Sequence, residues 1–187
     1  LGRSPISPID VIQTILSPIF PQLEVSSTVT TIVSEIRLRR LIGAIVVGAC
    51  LAISGAAFQS IFKNPLVSSD LLGVSNGAGF GAALGILLSG ANIITQIFAF
   101  IFGLISVSAT YLISKSYRAG GILVLVLSGV AISAFFNSLI SAIKFIADPD
   151  DKLPEIVYWL MGSLASINMD KLLMIAMPVI IGLIILL

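Results

Sequence analysis

The sequence predicts an all-α, polytopic transmembrane helix bundle with about five membrane crossings, the last of them incomplete. Of its 187 residues, 57% are hydrophobic and only 10% are charged, whereas about a quarter of the residues in a soluble domain are charged. One segment without a charge, residues 41–62, is about 22 residues long and would cross the ~30 Å hydrocarbon layer as a helix. Small side chains recur on the predicted helices at four-residue steps, which allows close helix contacts in lipid.

Residues 1–36 are predicted to be an extramembrane segment, because they form the least apolar part of the chain. Within this segment, Ser7 can cap a short amphipathic helix that has Pro8 at its first position. We expect this helix to extend to about Ile19 and to lie on the membrane surface.

The transmembrane region is predicted over residues 37–187, after a turn at residues 28–36. β-branched side chains are concentrated in that turn segment, but a strand would have no evident partner there. We therefore expect the first long helix to begin at Glu35. Its membrane crossing covers residues 41–62 and ends before Pro65, because proline removes a backbone donor and biases the preceding residue away from helix.

Further crossings are predicted after this first one. They cover residues 73–88, 93–114, 121–145 and 171–187. A polar loop at residues 148–154 must lie outside the membrane, and a short helix is predicted to follow it and to end at Gly162.

Two of the predicted helices carry a stripe of small residues. The stripe residues are Gly48 and Ala52 on the first helix, and Gly73, Gly77, Gly81 and Gly85 on the second. Because lipid provides no hydrophobic drive for helix association, such stripes indicate tight helix packing. A permeation surface is the alternative for the glycine series. A nucleotide-binding loop is disfavoured, because no strand precedes the glycines and no Lys-Ser/Thr pair follows them.

Small and polar residues mark one face of the third crossing and one face of the fourth. They are Gly103, Ser106, Thr110 and Ser114 on the third, and Gly129, Ser133, Asn137 and Ser141 on the fourth. An amide in hydrocarbon needs a partner, so we expect Asn137 to face protein or water. Interhelical hydrogen bonds contribute only ~0.6 kcal/mol on average, so a gain in stability explains these polar residues only weakly. The polar face of the fourth crossing is therefore either a helix contact or the lining of a translocation pathway.

Composition argues against several classes of function. The net charge is +1 and the basic residues are scattered, which provides no basic surface for nucleic acid. The chain has no His and a single Cys, Cys50, which is interpreted as a packing residue, so a His/Cys metal site is disfavoured. Asp148, Asp150 and Asp151 share one loop without a His partner and are interpreted as a solvated acidic loop. We expect neither enzyme activity nor a cofactor bound by this chain.

A long spaced motif extends from the first long helix into the second. Its positions include Arg37, Arg40, Gln59, Asn64, Pro65, Leu66, Ser75 and Asn76. This run resembles the permease subunits of FecCD-type ABC importers, which carry ferric siderophores, haem and vitamin B12. Arg39 stands where the family commonly has proline, which affects the start of the helix. From the residues alone, the arginines are interfacial anchors whose guanidinium groups contact lipid headgroups.

The resemblance implies a permease that functions as a homodimer in the plasma or inner membrane. Two cytoplasmic ATPase subunits would use ATP, and an extracytoplasmic binding protein would deliver the substrate. The fourth crossing would line the pathway at the homodimer interface. The resemblance also implies an inner gate at Gly121 and Ile122 and an outer gate in the short helix with Trp159 and Gly162. For Trp159 the alternative is an interfacial belt position.

The resemblance covers essentially all of the chain, and we expect the chain to be about half of a family member, without its first span. A count of Lys and Arg places the acidic loop in the cytoplasm. The resemblance implies instead that Lys115 and Arg118 are cytoplasmic and that the acidic loop is external, and we follow the resemblance.

An oligomeric channel or a structural membrane subunit is the competing class of function, because it would use the same small-residue stripes and the same polar face. The sequence does not predict which substrate is carried, since small, weakly polar side chains along a pathway are not specific for one solute.

Overall fold

The computed structural model describes residues 4–20, 26–65, 68–117, 121–165, 167 and 169–186. All regular structure in these ranges is helical. The chain divides into two compact units, one formed by residues 1–52 and 164–187 and the other by residues 53–163. The helices are α1 (Pro8–Leu16), α2 (Ser27–Thr30), a π-helix (Thr31–Leu38), α3 (Arg39–Phe62), a 3-10 helix (Ser69–Leu72), α4 (Val74–Ser89), α5 (Ile93–Ser116), α6 (Ile122–Ile146), α7 (Lys152–Met161) and α8 (Met169–Leu186).

The fold is a helical membrane bundle, and the chain is an integral, multi-pass membrane protein. Within the described residues, three helices are long and apolar enough to cross a bilayer: Ser27–Phe62, Ile93–Ser116 and Ile122–Ile146. The predicted second crossing, α4, is a shorter apolar helix of 16 residues, or about 24 Å of helix. The last apolar run is helical over Met169–Leu186.

The amphipathic helix predicted near the start of the chain is confirmed as α1, but it ends at Leu16 and not at about Ile19. The Ser7 hydroxyl accepts a hydrogen bond from the Asp10 amide at 3.2 Å, and Pro8 occupies the first turn. In the same unit, α1 packs on α2 and the π-helix, where Thr14 and Val33 are buried. The Thr14 hydroxyl donates to the Asp10 carbonyl at 2.7 Å, so this buried polar group has a partner within its own helix.

The turn predicted at residues 28–36 is wrong. The structure instead has one continuous helix over Ser27–Phe62, which includes the π-helix and passes without interruption from residue 36 to residue 37. The hydroxyls of Thr30 and Thr31 donate to carbonyls four residues earlier, at 3.2 and 2.9 Å. These local bonds give the hydroxyls partners within the helix. The burial of Val33 stabilises helix where β-branched residues had suggested its absence, because packing overrides intrinsic propensity.

The predicted end of the first crossing is confirmed. α3 ends at Phe62, and the next residue, Lys63, has a positive φ of 48°. Pro65 follows directly after Asn64, so the chain cannot continue as helix there. The predicted starts and ends of the third and fourth crossings agree with α5 and α6 to within two residues. The predicted short helix ending at Gly162 is α7.

α4 lies at the centre of the second unit and packs against α5, α6 and α7. The buried cluster at one end of this unit joins α4, α6 and α7, and consists of Ala83, Ile86, Ile143, Ala147 and Ile156. Phe80 on α4 adds an edge-to-face ring contact with Phe102 on α5, with centroids 4.9 Å apart. The short helix is thereby surrounded on several sides by longer neighbours.

Glycines allow α4 and α5 to approach each other at backbone distance. A Cβ atom added to Gly77 would lie 2.6 Å from the Phe102 carbonyl oxygen, and one added to Gly85 would lie 2.8 Å from the Thr95 Cα atom. At Gly81, an added Cβ would overlap the carbonyl oxygen of Phe98. By contrast, a Cβ added to Gly48 on α3 would meet nothing within 4 Å. Close packing through Gly48 and Ala52 therefore stays a prediction.

The substitution Gly77→Ala is expected to destabilise the protein by about 1–3 kcal/mol, because a methyl group at this position forces α4 away from the α5 backbone. The measurement is the free energy of unfolding of the full-length protein in mixed micelles. Gly55→Ala is the matched control, since a Cβ there would meet nothing within 4 Å. Equal stabilities for the two variants would contradict the packing described for α4 and α5.

Candidate functional site

The candidate site is centred on the backbone break between the 3-10 helix and α4. Gly73 occupies this break with a φ of +75°, a conformation that residues with a side chain rarely adopt. The Gly73 amide donates to the Asp70 carbonyl at 3.0 Å, and the Gly73 carbonyl accepts from the Gly77 amide at 3.0 Å. The break thus ends one helix and starts the next at a single residue.

Two hydroxyls of α5 bind the carbonyls at this break. Ser106 donates to the Gly73 carbonyl at 2.7 Å, and Thr110 donates to the Leu72 carbonyl at 3.0 Å. Both side chains are fully buried. Backbone groups that a helix break leaves inside a membrane protein need such partners, because no water is available in hydrocarbon. We refer to Ser106 and Thr110 as the hydroxyl pair.

α6 contacts the same break from a second side. A Cβ atom added to Gly129 would overlap the Leu71 carbonyl oxygen, so only glycine permits this approach. Gly129 is buried, and the Ser133 hydroxyl lies 3.0 Å from the position of a Cβ atom built on Gly73. The segment that ends at Gly73 is therefore held between α5 and α6.

The four predicted pathway residues of α6 occupy two different environments. Gly129 is buried and Ser133 is half-buried, and both lie at the break. Asn137 and Ser141 are exposed on the surface of the unit, where the Ser141 hydroxyl donates to the Asn137 carbonyl at 3.0 Å. Of these four residues, only Asn137 and Ser141 are exposed to a solute or to another chain in this structure.

The predicted outer-gate helix, α7, is attached to the turn between α4 and α5. A carboxylate oxygen of Glu155 accepts a hydrogen bond from the Ala91 amide at 3.0 Å. Ile156 is completely buried, whereas Trp159 is 37% exposed. α7 ends at Gly162, which has a φ of +71°. At the predicted inner-gate position, Gly121 and Ile122 are exposed at the start of α6.

The motif arginines of the first long helix lie in the first unit. Arg37 donates to the Ser4 carbonyl at 2.7 Å, and Arg40 donates to the Ala165 carbonyl at 3.4 Å. Arg39 forms an ion pair with Glu35 one turn earlier. The arginines therefore contact protein carbonyls and carboxylates as well as facing solvent.

The remaining motif residues lie at or near the ends of α3 and α4. Ser75 donates to the Asp70 carboxylate across the break, and Asn76 is half-buried in the first turn of α4. Gln59 is exposed in the last turn of α3. Leu66 and Arg118 lie outside the described residues.

Sequence reasoning placed Ser106 and Thr110 on a polar face but did not connect them to Gly73. The partner carbonyls lie 33 and 38 residues earlier in the chain. One signal in the sequence could have suggested the contact: backbone carbonyls freed at a glycine break need partners in lipid, and α5 offers two hydroxyls at four-residue spacing.

Comparison with known proteins gives the family. The FecCD transport family matches residues 1–187. The chain is 37% identical over 158 residues to the molybdate import system permease protein MolB of Haemophilus influenzae, covering 83% of this chain and 46% of that protein. It is 47% identical over 139 residues to the probable iron chelatin transport system permease protein of Helicobacter pylori, covering 74% of this chain and 41% of that protein.

A solved structure shows the same architecture. It is described as an inward-facing conformation of a transporter assigned to the metal-chelate type of ABC transporter, and it matches with a TM-score of 0.76 at 32% identity. The match covers 92% of this chain and 56% of that chain. The chain spans about half the length of the curated relatives that it matches. The chain belongs to the FecCD transport family.

The substitution Ser106→Ala is expected to lower the free energy of unfolding in mixed micelles by about 1 kcal/mol, because the Gly73 carbonyl loses a buried hydrogen bond. Ser108→Ala on the same helix is the control, since Ser108 is exposed. The stabilising role of the hydroxyl pair would be rejected if both alanine variants unfolded at the same denaturant concentration.

Proposed function

We propose that this chain is part of the permease subunit of an ATP-driven ABC importer. The observation that carries the proposal is the family match over residues 1–187 together with a structural match over 92% of the chain. In the proposed mechanism two copies of the permease form the pathway, and a separate pair of ATPase subunits hydrolyses ATP. An extracytoplasmic binding protein delivers the substrate.

The packing of the second unit supports a mechanism in which helices move as bodies. α4 contacts α5 at backbone distance along its glycines, and the break at Gly73 is held by α5 and α6. Such contacts have few alternative arrangements, because a tightly packed interface does not deform continuously. Alternating access would then come from rocking of helix groups, as ATP binding shifts the population of inward-open and outward-open states.

The exposed part of the α6 face is the proposed pathway surface. Asn137 and Ser141 provide an amide and a hydroxyl on the same side of the helix, four residues apart. Neither side chain is charged, so this surface would guide a large polar solute without binding it tightly. In the proposed homodimer the two copies of this face would line one pathway.

A metal chelate or a metal oxyanion is the proposed substrate class. The similar permeases are named for molybdate import, iron chelatin transport and vitamin B12 import. The uncharged character of Asn137 and Ser141 favours a pathway that accepts several such solutes. We therefore expect the binding protein, and not this face, to determine which one is carried.

The proposal is tested by uptake in proteoliposomes that contain the complete permease, its ATPase and its binding protein. We expect accumulation of a ferric siderophore, cobalamin or molybdate that depends on ATP hydrolysis. Flux of these solutes without ATP would contradict the importer and would favour an oligomeric channel. Normal uptake by a complex that lacks this permease would exclude its role altogether.

The substitution Asn137→Leu is expected to reduce the uptake rate about two- to tenfold, which corresponds to the loss of one hydrogen bond worth ~0.5–1.5 kcal/mol to the moving solute. Ser138→Leu is the matched control. Ser138 is also exposed on α6, but it lies one position away and its hydroxyl donates to the Ala134 carbonyl at 2.9 Å. Equal uptake rates for the two variants would remove Asn137 from the pathway.

A further inference from the structure

Helix α7 is attached to the rest of the second unit by two contacts of different chemistry. Ile156 is completely buried in the apolar cluster that also contains Ile86 of α4 and Ile143 of α6. The preceding residue, Glu155, accepts a hydrogen bond from the Ala91 amide at 3.0 Å through one carboxylate oxygen. Adjacent residues of a helix project about 100° apart. The apolar contact and the hydrogen bond therefore hold α7 from two directions.

The turn between α4 and α5, to which Glu155 binds, is closed by bonds of its own. The Thr95 hydroxyl donates to the Gly90 carbonyl at 2.9 Å, and the Asn92 side-chain amide donates to the Ser89 carbonyl at 2.8 Å. The backbone amide of the residue between Gly90 and Asn92 is bonded instead by a carboxylate that lies 64 positions later in the chain. Because local side-chain bonds define the shape of a turn, the donor that α7 binds has a defined position.

Lys152, in the first turn of α7, lies near both the Glu155 carboxylate and this turn. Its ammonium nitrogen is 4.0 Å from the second carboxylate oxygen of Glu155 and 3.7 Å from a carboxylate oxygen of Asp151. A Cβ atom built on Gly90 would lie 3.5 Å from the same nitrogen. These ion pairs are partly exposed and contribute little to stability by themselves. The hydrogen bond from the Ala91 amide is therefore the main polar contact between α7 and the turn.

This hydrogen bond restricts a motion that the apolar contact leaves freer. Apolar attraction is non-directional, so the burial of Ile156 constrains the distance of α7 from α4 and α6 more than its rotation. A hydrogen bond has a preferred angle as well as a preferred length, so Glu155 fixes the rotation of α7 about its axis. Trp159 lies four residues further on, on the same side of the helix. The direction of its ring therefore follows from the bond at Glu155.

We propose that Glu155 is a positioning residue, which couples α7 to the turn between α4 and α5 and thereby sets the orientation of Trp159. The geometry of the bond, more than the charge, carries this role. An uncharged acceptor at the same place would serve, whereas a carboxylate that cannot reach the Ala91 amide would not. The coupling does not depend on transport. Its effect on uptake rests on the proposed function and on the predicted role of α7 as the outer gate.

The test is fluorine NMR of the full-length permease, labelled with fluorotryptophan and reconstituted with its ATPase in lipid nanodiscs. The resonance of Trp159 is assigned from the spectrum of the Trp159→Phe variant. Glu155→Ala removes the bond and the charge, Glu155→Asp keeps the charge but withdraws the carboxylate by one methylene group, and Glu155→Gln keeps an acceptor without the charge. Asp151→Ala is the matched control, because it removes an exposed carboxylate beside Lys152 and leaves the bond to Ala91 in place.

We expect the Trp159 resonance to be displaced or split in Glu155→Ala and in Glu155→Asp, and to stay at the wild-type position in Glu155→Gln and in Asp151→Ala. An unchanged resonance in the first two variants would overturn the proposal. A spectrum of Glu155→Gln that matches Glu155→Ala and not the wild type would also overturn it, because the charge would then set the position of the ring.

ATP-dependent uptake in proteoliposomes is the second measurement. We expect the rate to fall about two- to tenfold in Glu155→Ala and Glu155→Asp, the range that the loss of one hydrogen bond predicts, and to be retained in Glu155→Gln. Wild-type rates in the first two variants, with a displaced resonance, would overturn the positioning role in transport. Absence of ATP-dependent uptake by the wild-type complex would contradict the proposed function alone, because the resonance reports the position of Trp159 without transport.

Discussion

The contact between α4 and α5 at backbone distance is the constraint on which the second unit depends. In lipid, helices gain nothing from hiding apolar surface, so their association rests on van der Waals packing and on buried polar bonds. Gly77, Gly81 and Gly85 allow the van der Waals packing, because they have no side chains at the contact. The close approach that they permit also allows the buried polar bonds, because it brings the hydroxyl pair of α5 within bonding distance of the break at Gly73.

The other features of this unit follow from the same approach. A break at Gly73 is tolerated because its carbonyls have partners, and the break in turn allows Gly129 of α6 to contact Leu71. At the other end of α4, the apolar cluster around Ile86 and Ile156 holds α7, which Glu155 also attaches to the turn before α5. A short helix that would be too short to cross the bilayer by itself is therefore stabilised by neighbours along its whole length.

Features set by neighbouring residues were predictable from the sequence, and features set by distant residues were not. The Ser7 cap, the helix end before Pro65 and the end of α7 at Gly162 follow from local backbone chemistry, and the structure confirms them. The helix at residues 28–36 was missed because its stabilisation comes from tertiary burial of Val33 against propensity. The sequence left open whether the α6 face is a helix contact or a pathway lining, because the burial of Gly129 depends on a carbonyl 58 positions earlier in the chain, which no spacing pattern encodes.

The most direct measurement of the α4 to α5 approach is a disulfide cross-link in the full-length permease in its native membrane. A Cβ atom built on Gly103 lies 3.6 Å from the Cβ atom of Ala78, which is within the range of a disulfide. With Cys50→Ser as background, the double variant Ala78→Cys/Gly103→Cys should form the bond on mild oxidation, whereas Ala78→Cys/Leu104→Cys should not, because Leu104 is exposed on another side of α5. Failure of the first pair to cross-link, or equal cross-linking of both, would contradict the close approach of these helices.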